Sequence, residues 1–581
     1  MKAKIKRAGI VLLIFLLIVL SSCGQGEQGE AGPEGKIGPR GENGAQGERG
    51  PAGEDGAVVD NMTYINVKNF GAVGDGKTDD KAALLSAFEY ALQNLPATVY
   101  FPEGEYGLSE GGLYISLPLG VGGLTVCGDG GELSVLKYLP EWEPAHSWVA
   151  LRLQPETTPS ESSEYLHDIT IRDLGVYDTD PLGHAWTEEE NGSKEETHGF
   201  DIQYCRRATV QNCNIINVGD EAIDMVYCVD SMIVGNYVSG SPGAGSGGGA
   251  ISVGDGCRGV LVSQNIVNGS VLDDEKGNFG IAIESLTDPV VDVTLTSNMI
   301  SNVNGWGINV GTGRGSIEDI VISGNHISSC RDGGIRLRGS YPKTNILISD
   351  VLIEHVDTAI LMEGSQTTFV SIRDFTIDDA LKGIYVGGSQ NVSISDGVMT
   401  KVAQQAYWGS GNYAKLDNLL IDSVGFEENV TSGAIQQYPD SGRCDATNVT
   451  VLNCQNPKAF QNIYSVINCT VEQKEASGIY AISKATVIRG GQVNGIVSVN
   501  SGGLIDGLTV RAESDLGLNP IYLYNVQNVI VTNCTVSDGS SRAGIRENGT
   551  ADHNMILNNF TKNGVQVVGE HTVVQNNIVP Q

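Results

Sequence analysis

An asparagine set between β-branched residues returns throughout this chain. It appears as "TVQNCNI" around Asn212, "IVGNYV" around Asn236, "VSQNIV" around Asn265, "LTSNMI" around Asn298 and "VISGNHI" around Asn325. It continues at Asn453, Asn468, Asn533 and Asn576. The first five asparagines are 24, 29, 33 and 27 residues apart. A second repeat is interleaved, a glycine or alanine followed by alternating apolar residues: "GFDIQ", "EAIDMV", "GAISVG", "GIAIES", "GINVG", "GIRLRG", "AILMEG" and "GIYVGG". Alternation with period two marks half-buried strands. Short strands recurring every two to three dozen residues, with no helical pattern between them, predict a parallel β-solenoid. An asparagine at each corner can then bond the backbone of the next coil.

The cysteines follow the same rhythm. Cys213, Cys454, Cys469 and Cys534 come directly after a repeat asparagine. Periodic placement on strands predicts buried free thiols rather than bridges. An export signal permits disulfides as well, and coils ~4.8 Å apart would not forbid them.

The N-terminus has a different character. Lys2, Lys4, Lys6 and Arg7 precede an apolar run from Ile10 to Leu20, which has the size of a signal-peptide core and is short for a membrane span. The run ends in Leu20-Ser21-Ser22-Cys23, which resembles a bacterial lipobox. Residues 1–22 then form a lipoprotein signal and Cys23 becomes a lipidated first residue. The mature chain is anchored to a membrane without spanning it. Glycine next holds every third position from Gly26 to Gly56, 11 in register. Only glycine fits the axis of a collagen triple helix, so residues 23–57 predict a collagen-like stalk, with a homotrimer as its natural assembly. These features place the protein on the bacterial cell surface or in the cell envelope. A net charge of −33 argues against nucleic acid as a partner.

A single amphipathic helix is predicted over Thr78–Gln93. Leu84, Leu85, Phe88, Ala91 and Leu92 form its apolar stripe, and Thr78 or Asp79 its N-cap. Its expected role is to plug the open end of the stack, ahead of a first strand in "TVYFPEGEY". The stretch "NFGAVGDGKTDDKAALLSAFEYA" followed by "VYFPEGEY" resembles the opening of the pectate lyase superfamily, in the branch related to rhamnogalacturonase, polygalacturonase and phage tailspikes. The resemblance implies an all-β, right-handed parallel β-helix over residues 62–581 and a role in cleaving or modifying polysaccharide. It fixes no chemistry.

With the apolar residues of the glycine-led strands inward, the intervening side chains line one outer face. They are Asp201, Gln203, Asp224, Ser252, Glu284, Asn309, Arg336 and Arg338, with Tyr385 further on. Asp220 and Glu221 enter the same coil as Asp224. Four carboxylates in one patch should raise some of their pKa values, as a general acid requires. "GDEAID" resembles the paired-aspartate motif of polygalacturonases, which puts acid and base roles on Asp220 and Glu221. The flanking motifs of that family are absent, with Gly249 in place of a histidine. "HGFDIQ" resembles the Tyr-Gly-Phe-Asp-Pro-His segment of mannuronate epimerases and related lyases. His198 stands where that tyrosine would be and Gln203 where the histidine would be.

The candidate catalytic set is therefore His198, Asp201, Asp220, Glu221 and Asp224. The candidate substrate contacts are Gln203, Glu284, Asn309, Arg336, Arg338, Trp186 and Trp306; Trp186 lies with His184 in a long loop before Gly199. No metal-ligand spacing surrounds His184 or His198, so the metal content stays open. No cofactor is expected, apart from calcium if the chemistry is that of a lyase. Two function classes fit: an enzyme acting on an extracellular, uronate-containing polysaccharide, and a non-catalytic glycan-binding adhesin or spike on the same scaffold.

Overall fold

The computed structural model describes residues 63–109, 111–139, 148–178, 197–240, 249–269, 279–311, 313–427, 432–439, 442–472, 480–512, 519–538 and 542–580. The signal segment, Cys23 and the glycine-repeat stalk lie outside the described residues, as do His184 and Trp186.

The described chain winds as a parallel β-solenoid of about 16 turns. Each typical coil contributes a strand to each of three faces. One coil runs through strands Thr197–Gln203, Cys205–Gln211 and Asn214–Ile216, and the next through Ile223–Val226, Val229–Val234 and Tyr237–Ser239. Each strand pairs in parallel with its counterpart one coil on. The register keeps the alternation in phase. Ile202, Met225, Val253, Ile283, Val310 and Leu337 stack in one column and are fully buried. Each such side chain contributes ~1.5–3 kcal/mol of burial free energy, so the column holds the coils together along the axis.

The asparagine ladder is real, but its register differs from the sequence expectation. Asn236, Asn265, Asn298 and Asn325 are buried and linked in series. Asn236 Nδ2 donates to Val210 O and to Asn265 Oδ1, both at 3.0 Å, and Asn236 N donates to the same Asn265 oxygen at 3.0 Å. The pattern repeats at Asn265 and Asn298. Asn212, Asn453, Asn468, Asn533 and Asn576 stand one residue earlier, at left-handed turn positions with φ between 48° and 55°. Asparagine tolerates that conformation, and Gly235 and Gly324 take the equivalent turn position elsewhere (φ 67° and 64°). The inward ladder position then belongs to the residue that follows, a cysteine after the first four and Asn577 after Asn576. Cys213 N donates to Asn236 Oδ1 at 2.9 Å, and Cys534 N to Asn559 Oδ1 at 2.9 Å. All ten described cysteines are free and buried.

The N-terminal helix spans Lys81–Leu92, shorter than the predicted 78–93, because Asp75–Asp79 is a strand. Two further strands, Thr63–Asn66 and Asp75–Asp79, precede "TVYFPEGEY", which is therefore not the first. Leu84, Ala87, Phe88 and Ala91 are buried against the first coils, while Leu85 points to solvent. The helix packs on strands Thr63–Asn66, Ala97–Phe101 and Gly112–Leu117. Its N-cap is Asp80 rather than Thr78 or Asp79. The Asp80 carboxylate does not cap the helix. It accepts from Val73 N (2.6 Å) and Gly74 N (3.1 Å), pinning the glycine-broken loop.

Candidate active site

Three consecutive coils build the site on one face. Strand Trp148–Pro155 supplies Arg152, strand Thr197–Gln203 supplies His198, Asp201 and Gln203, and strand Ile223–Val226 supplies Asp224. Arg152, Asp201 and Asp224 are register partners, so their side chains emerge side by side. Asp220 and Glu221 sit in the turn that leads into the third strand. That turn is tied down by Gly199 N to Glu221 O (3.0 Å) and Phe200 N to Ala222 O (3.0 Å). A Cβ on Gly199 would lie 2.3 Å from Ala222 O, so the close approach of the two coils requires glycine in "HGFD".

The five predicted side chains converge. One ligand atom each of His198, Asp201 and Asp224 lie within 4.8 Å of one another, and so do those of His198, Asp220 and Glu221. His198 joins the two carboxylate pairs, with Nδ1 3.2 Å from Glu221 Oε2. Asp201 is fully buried, and its Oδ2 accepts from Arg152 Nε and, at 3.1 Å, from Gln203 Nε2. Its Oδ1 has no hydrogen-bond partner among the described residues. Arg152 also lies over the Tyr114 ring, 5.2 Å from its centroid.

This crowding has an electrostatic consequence. Burial first, then the neighbouring Asp220 charge and a hydrogen bond with it, push the Glu221 carboxyl up to about 8, against an opposing pull from His198. Asp224 is held well above the usual carboxylate range by burial and by the charges of Asp201 and Glu221. Glu221 therefore keeps its proton near neutrality, and Asp224 holds its own more tightly than an ordinary carboxyl, which is what a general acid, or a donor to an anionic substrate, requires. The same donors would suit a divalent cation, which would displace those protons; the ligand set is assembled in space although no sequence spacing announced it.

The remaining row divides. Asn309 is register partner to Arg336, five coils beyond Asp201, about 24 Å at ~4.8 Å per coil. Arg336 Nε donates to Asn309 Oδ1 at 2.9 Å, and the guanidinium lies 4.8 Å from the Phe279 centroid and 5.7 Å from that of Trp306. Trp306, expected as a stacking surface for sugar, is buried in a small apolar cluster with Phe279 and Ala282. It shapes and holds Arg336 instead. Asn309 is fully buried beneath the arginine, with its Nδ2 unpaired among the described residues. Arg338 is exposed and pairs loosely with Glu363, Nε to Oε2 at 3.7 Å. Glu284 is half-buried. Sequence reasoning missed Arg152, whose place in "WVALRLQP" follows the same alternation. It placed Tyr385 on this face but missed Trp408, which stacks on it further along, with ring centroids 4.1 Å apart at 9°.

The fold and site define a class: a parallel β-solenoid bearing a buried carboxylate–imidazole–guanidinium cluster on one sheet. Residues 64–335 match the family described as rhamnogalacturonase A/epimerase, pectate lyase-like, a span that contains the whole cluster. Among curated proteins, the chain is 33% identical over 117 residues to alginate lyase 7 of Azotobacter vinelandii (19% of this chain, 12% of that protein). It is 49% identical over 47 residues to mannuronan C5-epimerase AlgE4 of the same organism (8% of each). It is 26% identical over 246 residues to the putative phage-related protein YobO of Bacillus subtilis (36% of this chain, 28% of that protein). The chain thus spans only a minor part of the relatives it matches. Among solved structures, it is similar to an exopolygalacturonase of Thermotoga maritima (16% identical, TM-score 0.46, 67% of this chain and 91% of that one). It is also similar to the surface adhesin PfbA of Streptococcus pneumoniae (15% identical, TM-score 0.35, 68% and 91%).

Proposed function

We propose that this chain is a polysaccharide-active enzyme that moves a proton at C5 of a uronate residue, as a lyase or an epimerase. The observation that carries the reading is the convergence of Glu221, whose carboxyl is pushed up to about 8, and the buried Asp224 on His198 and an arginine-clamped Asp201. A protonated carboxyl can donate to the uronate carboxylate and disperse the charge that builds there when the C5 proton leaves. His198 is the group that takes that proton, and the electron pair enters the C5–carboxylate system. Expulsion of the 4-linked oxygen with a proton gives an unsaturated uronate; return of a proton to the opposite face gives the epimer.

Inverting hydrolysis is the weaker reading. It needs two carboxyls ~6.5–9.5 Å apart with a water between them. Within each of the two carboxylate pairs the nearest oxygens approach to 4.8 Å or less. The family match and the alginate-directed relatives support a uronate substrate.

A glycan-binding adhesin remains the second reading, favoured by the Tyr385–Trp408 stack and the exposed Tyr438 beside it on the same face. Lipid attachment at Cys23, display at the cell surface and trimerisation through the stalk complete the proposal and rest on the sequence motifs alone. Purified chain should be incubated with a panel of uronate-containing and neutral polysaccharides, with reducing ends, unsaturated-uronate absorbance and, by NMR, the C5 configuration of the uronates followed together. Unsaturation or epimerisation without excess reducing ends supports the proposal. Reducing ends alone make the chain a hydrolase, and binding without turnover makes it an adhesin.

A further inference from the structure

The chain has 8 histidines, and two of them meet far from the site described above. His553 and His571 lie at the corner of the last two coils, just before the paired strands Met555–Leu557 and Val573–Gln575. Their rings are stacked, with centroids 4.6 Å apart at 15°. Both turn Nδ1 toward one carboxylate oxygen, Asp552 Oδ2, at 2.8 Å from His571 and 3.3 Å from His553. The other oxygen, Oδ1, is fixed by His553 N and His571 N, each at 2.8 Å. The carboxylate is thus locked in place from two coils.

We propose that Asp552, His553 and His571 form a binding site for a divalent transition-metal ion of the zinc type. One ligand atom from each residue lies within 4.8 Å of the other two. For a tetrahedral ion bound at ~2.0–2.1 Å, neighbouring ligand atoms are separated by about 3.3 Å. The two oxygen–nitrogen separations, 2.8 and 3.3 Å, are already near that edge length. The third edge, between one ligand nitrogen of each ring, is 4.8 Å or less, so closing on an ion also requires the two rings to draw their nitrogens to the tetrahedral spacing.

Two imidazoles and one carboxylate are a borderline donor set. It suits zinc, cobalt or nickel rather than calcium, which prefers six to eight oxygens. The imidazoles are more than half exposed (side chains 55% and 63%), so water can complete the coordination. Metal entry replaces the two ring protons that face Asp552 and leaves each ring protonated at Nε2 instead. Because His571 belongs to the last coil and Asp552 and His553 to the one before, the ion would rivet the end of the solenoid. That end exposes Val567, Val568, Val573, Val574, Ile578 and Val579.

The test is titration of the full-length, untagged chain with zinc by calorimetry, and with cobalt by its visible absorption. Limited proteolysis of the C-terminal coils is run with and without zinc. The expected result is one ion lost on His571→Ala or His553→Gln and kept on His198→Ala. Removal of an outer-shell partner already weakens metal binding about 10–100-fold, so loss of a ligand should cost about 100-fold or more. Zinc should slow cleavage within residues 552–580 in the parent chain and not in the variants. Should His571→Ala prove unstable, His553→Gln, at a residue whose ring is more than half exposed, carries the comparison. A zinc stoichiometry and affinity unchanged by both substitutions, binding that disappears wholly on His198→Ala, or the absence of binding would overturn the proposal.

Discussion

Replacing Glu221 by glutamine should stabilise the protein, and the gain should depend on pH. Below pH 4.5, the ordinary value for glutamate, the carboxyl carries its proton in both the folded and the unfolded chain and costs nothing. Between 4.5 and about 8 the unfolded chain releases that proton while the folded chain keeps it. The folded state therefore loses ground with every pH unit, and the loss is complete above about 8. The span is 8 − 4.5 units, which at about 1.4 kcal/mol per unit amounts to about 5 kcal/mol. Relaxation of Asp220 and His198 around the charged carboxylate reduces this, so a gain of about 2–5 kcal/mol at pH 9 is expected. Glutamine has the same shape and no charge, so the variant escapes the penalty. Denaturant midpoints of parent and Glu221→Gln should coincide near pH 4.5 and separate steadily up to pH 9, with the variant the more stable. Equal midpoints across that range, or a less stable variant at pH 9, would refute the crowding of charges from which the site is argued.

Other consequences are as direct. Asn298→Ala removes the donor to Val262 O and Asn325 Oδ1 and the acceptor of two Asn265 N–H groups, leaving buried partners unpaired. At ~1–3 kcal/mol for each unsatisfied buried group, the thermal midpoint should fall sharply, while Asn212→Ala, at an exposed turn, should cost much less. The ten buried thiols should resist alkylation in the native protein and react on unfolding; burial pushes Cys205 and Cys213 up to about 12, which suppresses the reactive thiolate. Cys23→Ala should move the protein from the membrane fraction to the soluble fraction or block its maturation, and unchanged partition would remove the lipid anchor from the account.

Much of the scaffold can be read from the sequence, because a solenoid writes its register into its repeats. The glycine-led strands gave the inward and outward faces correctly, and Asp201, Asp224, Asn309 and Arg336 all emerge on the predicted side. The corner was harder. An asparagine can serve at a left-handed turn or one residue later in the buried ladder, and "NC" and "GN" look alike until the coils are stacked. The helix lost its first turn because Asp75–Asp79 pairs with Gly104–Leu108, a contact that local propensity cannot foresee. Trp306 was assigned to sugar because it is aromatic and near the face, yet Phe279, one coil away, buries it. Arg152 escaped notice since its coil precedes the recognisable motifs. The Asp552, His553 and His571 group left no signal, because its members are brought together by the winding of the chain rather than by spacing.

The central claim, that a proton is moved at C5 of a uronate by the His198 cluster, is tested most directly by running the reaction in deuterated water. Polymannuronate and polygalacturonate are each incubated with the parent chain and with His198→Ala, and C5 is examined by NMR. The expected result is either deuterium at C5 or loss of the C5 hydrogen to a double bond with the parent, and neither with the variant. Chain scission by the parent with every C5 hydrogen retained would contradict it.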